Sequence, residues 1–226
     1  MNLHDHYRNL YLQSLPLISS GQYEKDLLID SKLDRRFGLS LIVRPSRTVV
    51  QKIQSLISDL KKIEPHQYYY PNSDIHITVM SIISCYPGFD LNNITITDYV
   101  DLISNCLPKN QKMSIRCKGL TASPSCIMVQ GFNDDKGLNN FRDKLRREFK
   151  NSSLQQTLDI RYAIQTAHST IVRFRSDFND IYSFIQLIET NLDINFGEFT
   201  VEEVELVYND WYQREKLVKK IHLFNI

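Results

Sequence analysis

Two runs in which apolar and polar residues alternate, residues 74–83 and 163–174, constrain the fold of this chain more than any other feature. Successive side chains of an extended strand face opposite ways, so residues two apart share a face. In the first run His76 and Thr78 share one face, with Ile75, Ile77 and Val79 on the other. In the second, His168 and Thr170 oppose Ala167, Ser169 and Ile171. A strand patterned in this way needs a buried face behind it and a polar, accessible space in front. The fold must therefore present a histidine–threonine pair from each of two strands that lie far apart in sequence.

The segments around these runs are similar in order. The spacing predicts a strand over residues 37–45, stopped by Pro45, and a helix capped by Ser46 or Thr48. In that helix Val49, Ile53, Leu56, Ile57 and Leu60 recur at three- and four-residue steps, and Pro65 ends it. After the first histidine run, a turn at Pro87-Gly88 leads to a helix starting at Thr95 or Thr97. Strands over 112–122 and 126–132, joined through Ser123-Pro124-Ser125, read as a hairpin. A helix over 138–154 buries Leu138, Phe141, Leu145 and Phe149, and exposes Arg142, Lys144, Arg146 and Arg147 as a solvated face. The second histidine run follows, then a helix over 178–190, and residues 197–211 and 217–226 alternate as a last hairpin. Each of two similar units thus carries one triplet, although no repeat is visible residue by residue. Strands interleaved with amphipathic helices point to an α+β fold, with helices on the outer faces and the inner sheet faces lining a central cleft. Residues 1–36 are read as an N-terminal helical extension: Tyr7, Leu10, Tyr11 and Leu15 have helical spacing over residues 4–17, and packing across the main body would cover them.

Composition narrows the partners. The formal net charge of +1 gives no global attraction for a long polyanion, so a nucleotide or an RNA end fits better than extended duplex. The four cysteines, Cys85, Cys106, Cys117 and Cys126, show no C-x-x-C pairing and read as reduced, buried thiols. No apolar stretch approaches the roughly 18–20 residues that span a bilayer, and the first residues lack the pattern of a signal peptide. A cytoplasmic monomer is the expectation.

Imidazole titrates near neutrality and can give or take a proton, and a hydroxyl beside it can hold a phosphate oxygen. Two such pairs, His76-Ile77-Thr78 and His168-Ser169-Thr170, lie about 90 residues apart on equivalent strands and are each followed by an apolar strand end. In this the chain resembles the two-histidine (2H) phosphoesterase superfamily, which includes the bacterial RNA 2′,5′-ligases and cyclic nucleotide phosphodiesterases. The resemblance covers residues 37–226 and leaves the stretch before Phe37 unexplained. It implies one bilobal, pseudo-twofold domain over 37–226 and a reaction that needs neither metal nor cofactor. It also implies His76 and His168 as acid and base, with Thr78 and Thr170 as phosphate-oxygen ligands. The activity so implied is hydrolysis of 2′,3′-cyclic phosphates or 2′,5′-linked nucleotides and RNA ends. Two alternatives stay open: degradation of cyclic oligonucleotide signals, and a catalytically silent nucleotide-binding module.

Other candidates are weaker. Tyr68 and Tyr70, in a tract read as a loop overhanging the cleft, would stack on bases, and Trp211 near the final turn would be a second platform or half of a hairpin aromatic pair. Arg44 ends the first strand, within reach of a phosphate. Arg173, three residues after Thr170, faces away from the histidines if the strand stays regular. Asp74 shares the His76 face and orients a neighbour or caps the strand; without a clustered partner set, a metal site is not expected. His4, His6, His66 and His222 read as surface or structural residues.

Overall fold

The computed structural model describes residues 2–108, 111–160 and 163–226. Met1, the first residue of the expected extension, lies outside them. The elements are α1 (Leu3–Ser19), β1 (Arg36–Val43), α2 (Arg47–Ile63), β2 (Tyr68–Tyr69), β3 (Ile77–Pro87), α3 (Ile96–Cys106), β4 (Ser114–Ser123), β5 (Cys126–Phe132), α4 (Gly137–Asn151), β6 (Ser169–Arg173), α5 (Ile181–Thr190), β7 (Asn195–Thr200), β8 (Glu203–Asp210) and β9 (Lys219–Asn225). Helices α2 and α5 start where the sequence supplies a side-chain cap. Ser46 accepts from the Val49 amide at α2, and Asp180 from the Ser183 amide at α5. The α2 residues Val49, Ile53, Leu56, Ile57 and Leu60 are all buried, each contributing about 1.5–3 kcal/mol of apolar burial.

Among the described residues the strands form two antiparallel sheets, ordered β3-β1-β8-β9 and β2-β6-β5-β4-β7. The fold is α+β, and its two halves are interlaced. The first-half strand β2 extends the second sheet beside β6, whereas β8 and β9 complete the first. Helix α2 packs on β6 and β7 of the second sheet, and α4 packs on β3 of the first. One hydrophobic core therefore runs through both sheets.

Two expectations need correction. The tyrosine tract is not a free loop: Tyr68 pairs with Arg173 and Tyr69 with Val172. Residues 197–211 are not one hairpin arm. They run through β7 in one sheet and β8 in the other, crossing at Val201 and Glu202, and the final hairpin is β8–β9. A nearly continuous series of apolar residues hides such a crossing, because Phe196, Phe199, Val201, Val204 and Leu206 are buried on both sides of it.

The N-terminal helix lies against β4. Its Tyr7 and Tyr11 are buried, Ser14 Oγ donates to the Ala122 carbonyl (3.1 Å), and Thr121 Oγ1 donates to the Tyr7 carbonyl (2.8 Å). Pro16 sits in its last turn and does not end it.

Candidate active site

Each histidine sits immediately before its strand, outside the hydrogen-bonded ladder. There each ring folds back on the residue two places earlier. His76 Nδ1 lies 2.7 Å from the Asp74 carbonyl oxygen. A carbonyl only accepts, so Nδ1 carries the proton and Nε2 is left for the cleft. His168 Nδ1 lies 2.7 Å from Thr166 Oγ1, a hydroxyl that can donate or accept.

Both strands then do the same unusual thing. Against β1, Leu41 pairs with Met80 and Ile42 with Thr78, so Val79 is an extra residue. Against β5, Ile127 pairs with Val172 and Met128 with Thr170, so Ile171 is extra. Each His-x-Thr triplet is thus followed directly by a β-bulge, a device that re-aims the side chains beyond it. The residue three places after each threonine returns to the cleft face: Ser81 in the first half, Arg173 in the second. Arg173 therefore does not face away as a regular strand would have it. Its Nε donates to the Tyr70 hydroxyl (2.9 Å), and its guanidinium stands 5.6 Å from the Tyr212 ring centroid.

One cleft of about 170 Å³ is lined by His76, Thr78, His168 and Thr170 together with Arg173, Tyr70 and Trp211. The structure thus brings together six of the eight residues singled out from sequence. Arg44 and Tyr68 are not among the cleft-lining residues. Arg44 donates through Nη1 to the Ser73 carbonyl (2.6 Å) and pairs with Glu205 (3.3 Å), because β8 places that carboxylate beside it. It fixes the turn before His76. Tyr68 packs edge-on against Tyr70, and its hydroxyl lies 3.4 Å from Asp74 Oδ2. Asp74 itself is buried and accepts from the Glu215 amide (3.0 Å), so its carboxylate ties two loops together. Trp211 is held with Arg36 over its ring at 5.0 Å.

Burial pushes both imidazoles down to about 4. Lesser contributions come from Arg44, His168 and Arg173 at His76, and from Arg142, Arg173 and His6 at His168. In the unliganded cleft both rings are therefore neutral at pH 7, and an anion arriving beside them would raise their proton affinity. The three guanidiniums that act on the rings, Arg44, Arg142 and Arg173, make the site receptive to negative charge.

Arg142 departs most from expectation. It is fully buried, not solvated. Its Nε donates to the Val79 carbonyl (2.9 Å) and its Nη2 to the Thr78 (2.9 Å) and Thr166 (2.8 Å) carbonyls. The signal was in the sequence: residue 142 falls four after Leu138 and three before Leu145, on the apolar stripe. Gly131 also shapes the site, since a Cβ there would stand 1.9 Å from the Ala167 carbonyl oxygen. Only glycine lets the segment leading to His168 pass so close to β5.

No protein-family model and no curated protein matches this sequence. Solved structures do. Escherichia coli LigT complexed with 3′-AMP superposes with a TM-score of 0.59 at 9% identity, over 84% of this chain and 98% of that one. The chain has the LigT fold. A structure described as a phosphoesterase gives a TM-score of 0.55 at 12% identity, over 84% of this chain and 98% of its own. A conserved protein of unknown function from Agrobacterium tumefaciens gives 0.60 at 15% identity, and covers 93% of this chain and 98% of its own. At such identities the likeness to LigT is one of fold, and the chemistry must be argued from the cleft. Among the described residues no helix is long and apolar enough to cross a membrane.

Proposed function

We propose that this chain is a phosphodiesterase that hydrolyses 2′,3′-cyclic phosphates or 2′,5′-linked nucleotides and RNA ends by two-histidine acid–base catalysis. One observation carries the reading: two imidazoles and two threonine hydroxyls from distant segments line one cleft together with the partly buried Arg173. A pure binding module has no need of a matched acid and base.

In this reading Arg173 and the hydroxyls of Thr78 and Thr170 hold the non-bridging phosphate oxygens. His76, whose Nδ1 proton is fixed by the Asp74 carbonyl, offers Nε2 to the attacking water and takes its proton. The bound anion offsets the depression of the other ring, so His168 takes up a proton and delivers it to the leaving ribose oxygen. Trp211, backed by Arg36, offers a face on which a base can stack. The chemistry is metal-free in this scheme. Among the described residues no group of three or more His, Cys, Asp or Glu side chains is arranged to hold a metal ion.

The test is a panel of 2′,3′-cyclic mononucleotides, 3′,5′-cyclic mononucleotides, 2′,5′-dinucleotides and cyclic dinucleotides, assayed with EDTA present. Hydrolysis that survives chelation and collapses in His76→Ala and His168→Ala is expected. Strict metal dependence, or full activity in either variant, would overturn the mechanism. Nucleotide binding with no turnover of any panel member would make the chain a binding module.

A further inference from the structure

We infer that Arg142 is a positioning residue for the two-histidine site, one side chain tying together the backbone behind both triplets and so setting their separation. This rests on the function proposed above. Arg142 is the point where the halves are joined from behind: Thr78 and Val79 belong to β3 of the first sheet, and Thr166 leads into β6 of the second. The carbonyl of the bulge residue Val79 is the kind of group a bulge removes from the ladder, and the guanidinium satisfies it. In the other half the matching carbonyl, Ile171, accepts from the Tyr70 amide (3.1 Å), so only the first half's bulge carbonyl depends on this side chain.

The arrangement is costly, which is the argument for a purpose beyond packing. Among the described residues no carboxylate forms an ion pair with Arg142, and its Nη1 is buried with no hydrogen-bond partner. A buried cation held only by carbonyls is poorer for stability than an apolar side chain of similar size. The fork geometry is what lysine or methionine cannot supply: three carbonyls, two on β3 and one in the segment before β6, need a planar donor. The charge also stands near His168. The groups that act on that ring are His6 on α1, Arg142 on α4, Arg173 on β6 and His76 of the other half; Tyr7 on α1 bonds Thr166 beside it, and Asp159 lines the same cleft, paired with Arg146.

The experiment compares Arg142→Lys and Arg142→Met with wild type by circular dichroism, by kcat and KM for 2′,3′-cyclic AMP or whichever panel member turns over, and by NMR titration of the histidine rings. A crystal structure of Arg142→Lys reads the separation of the two rings. We expect the lysine variant to fold, with kcat down roughly 10-fold or more and KM within about twofold, because misplaced groups lose rate before binding. Its rings should be displaced relative to each other, and the His168 titration should stay near wild type. In the methionine variant His168 should titrate higher by about half a unit or more, with His76 moving less. If methionine does not fold, the lysine variant decides. Wild-type kcat with unmoved rings in folded Arg142→Lys overturns the inference, as does a loss that only tracks the folded fraction. A wild type that turns over nothing refutes the proposed function instead, and the ring separation then still tests Arg142.

Discussion

The two halves of the cleft follow one plan up to the threonine and then diverge. Each has a histidine ahead of its strand with Nδ1 tied two residues back, then a threonine, then a bulge. Three places after the threonine the first half has Ser81 and the second Arg173. The Nδ1 partners differ too, a backbone carbonyl for His76 and a side-chain hydroxyl for His168. A duplicated geometry can thus carry an unduplicated charge. Guanidiniums act on both rings, Arg44 and Arg173 on His76 and Arg142 and Arg173 on His168, so the difference lies in the Nδ1 partners, and His76 alone has an acceptor nitrogen fixed by a carbonyl. In the proposed mechanism that difference makes His76 the base and His168 the acid.

The largest effects should come from the rings. His76→Ala and His168→Ala should each lower kcat by about 10²–10⁴ on a 2′,3′-cyclic nucleotide. A substrate whose leaving group needs no proton, bis(p-nitrophenyl) phosphate, separates them: His168→Ala should regain most of its loss there and His76→Ala none. Equal losses on both substrates would mean that the halves are functionally interchangeable. Next in size is the charge. Arg173→Met should reduce kcat/KM by about 10²–10³, as for loss of a preorganised anion ligand, whereas Ser81→Ala should stay within about threefold. Comparable losses would show that the phosphate charge is not held on one side.

A smaller effect refines the contrast at Nδ1. Thr166→Val removes the His168 partner, together with the Thr166 contact to the Tyr7 hydroxyl. A single hydrogen bond of about 0.5–1.5 kcal/mol predicts a loss of roughly 3- to 10-fold in kcat. No side-chain substitution can remove the His76 partner, because it is a main-chain carbonyl. A Thr166→Ser variant should restore the rate; failure to do so would mean that the methyl group, and not the hydroxyl, matters there.

The same contrast explains what the sequence made legible. Polar residues two apart on apolar strands mark His76 with Thr78 and His168 with Thr170 without any knowledge of the fold, because strand alternation is a local property. The helices were legible for the same reason: caps at Ser46 and periodic apolar residues are written locally. The bulges at Val79 and Ile171 were not, since an extra residue looks like its neighbours until its partner strand is known. Arg173 was therefore assigned to the wrong face, and nothing short of the pairing with β5 would have placed it. Arg142 is a different kind of miss. Its position on the apolar stripe was visible, but its charge and the basic residues after it outweighed the period. The crossing from β7 to β8 was hidden because apolar residues are buried on both sides of it with no break between them. Arg44 was lost to a competitor, Glu205, that only the sheet order brings near.

The smallest expected effect concerns what the halves share. Both rings are held neutral by burial, with proton affinity near pH 4 in place of the ordinary value of 6.5. The unfolded chain therefore binds more protons than the folded one between these values, and stability must fall as pH drops from about 6.5 toward 4. Above 6.5 both states hold neutral rings and the contribution is complete. At about pH 5 the loss for each ring is at most about 2 kcal/mol, and less to the extent that water in the cleft screens it. Urea unfolding at pH 7.5 and at pH 5 measures it, in a range where most carboxylates stay ionised. His76→Gln and His168→Gln should each flatten the pH dependence, by similar amounts if burial is the common cause. A flattening confined to His168→Gln would show that burial is not a cause common to the two rings, and the symmetry of the halves would end at their backbones.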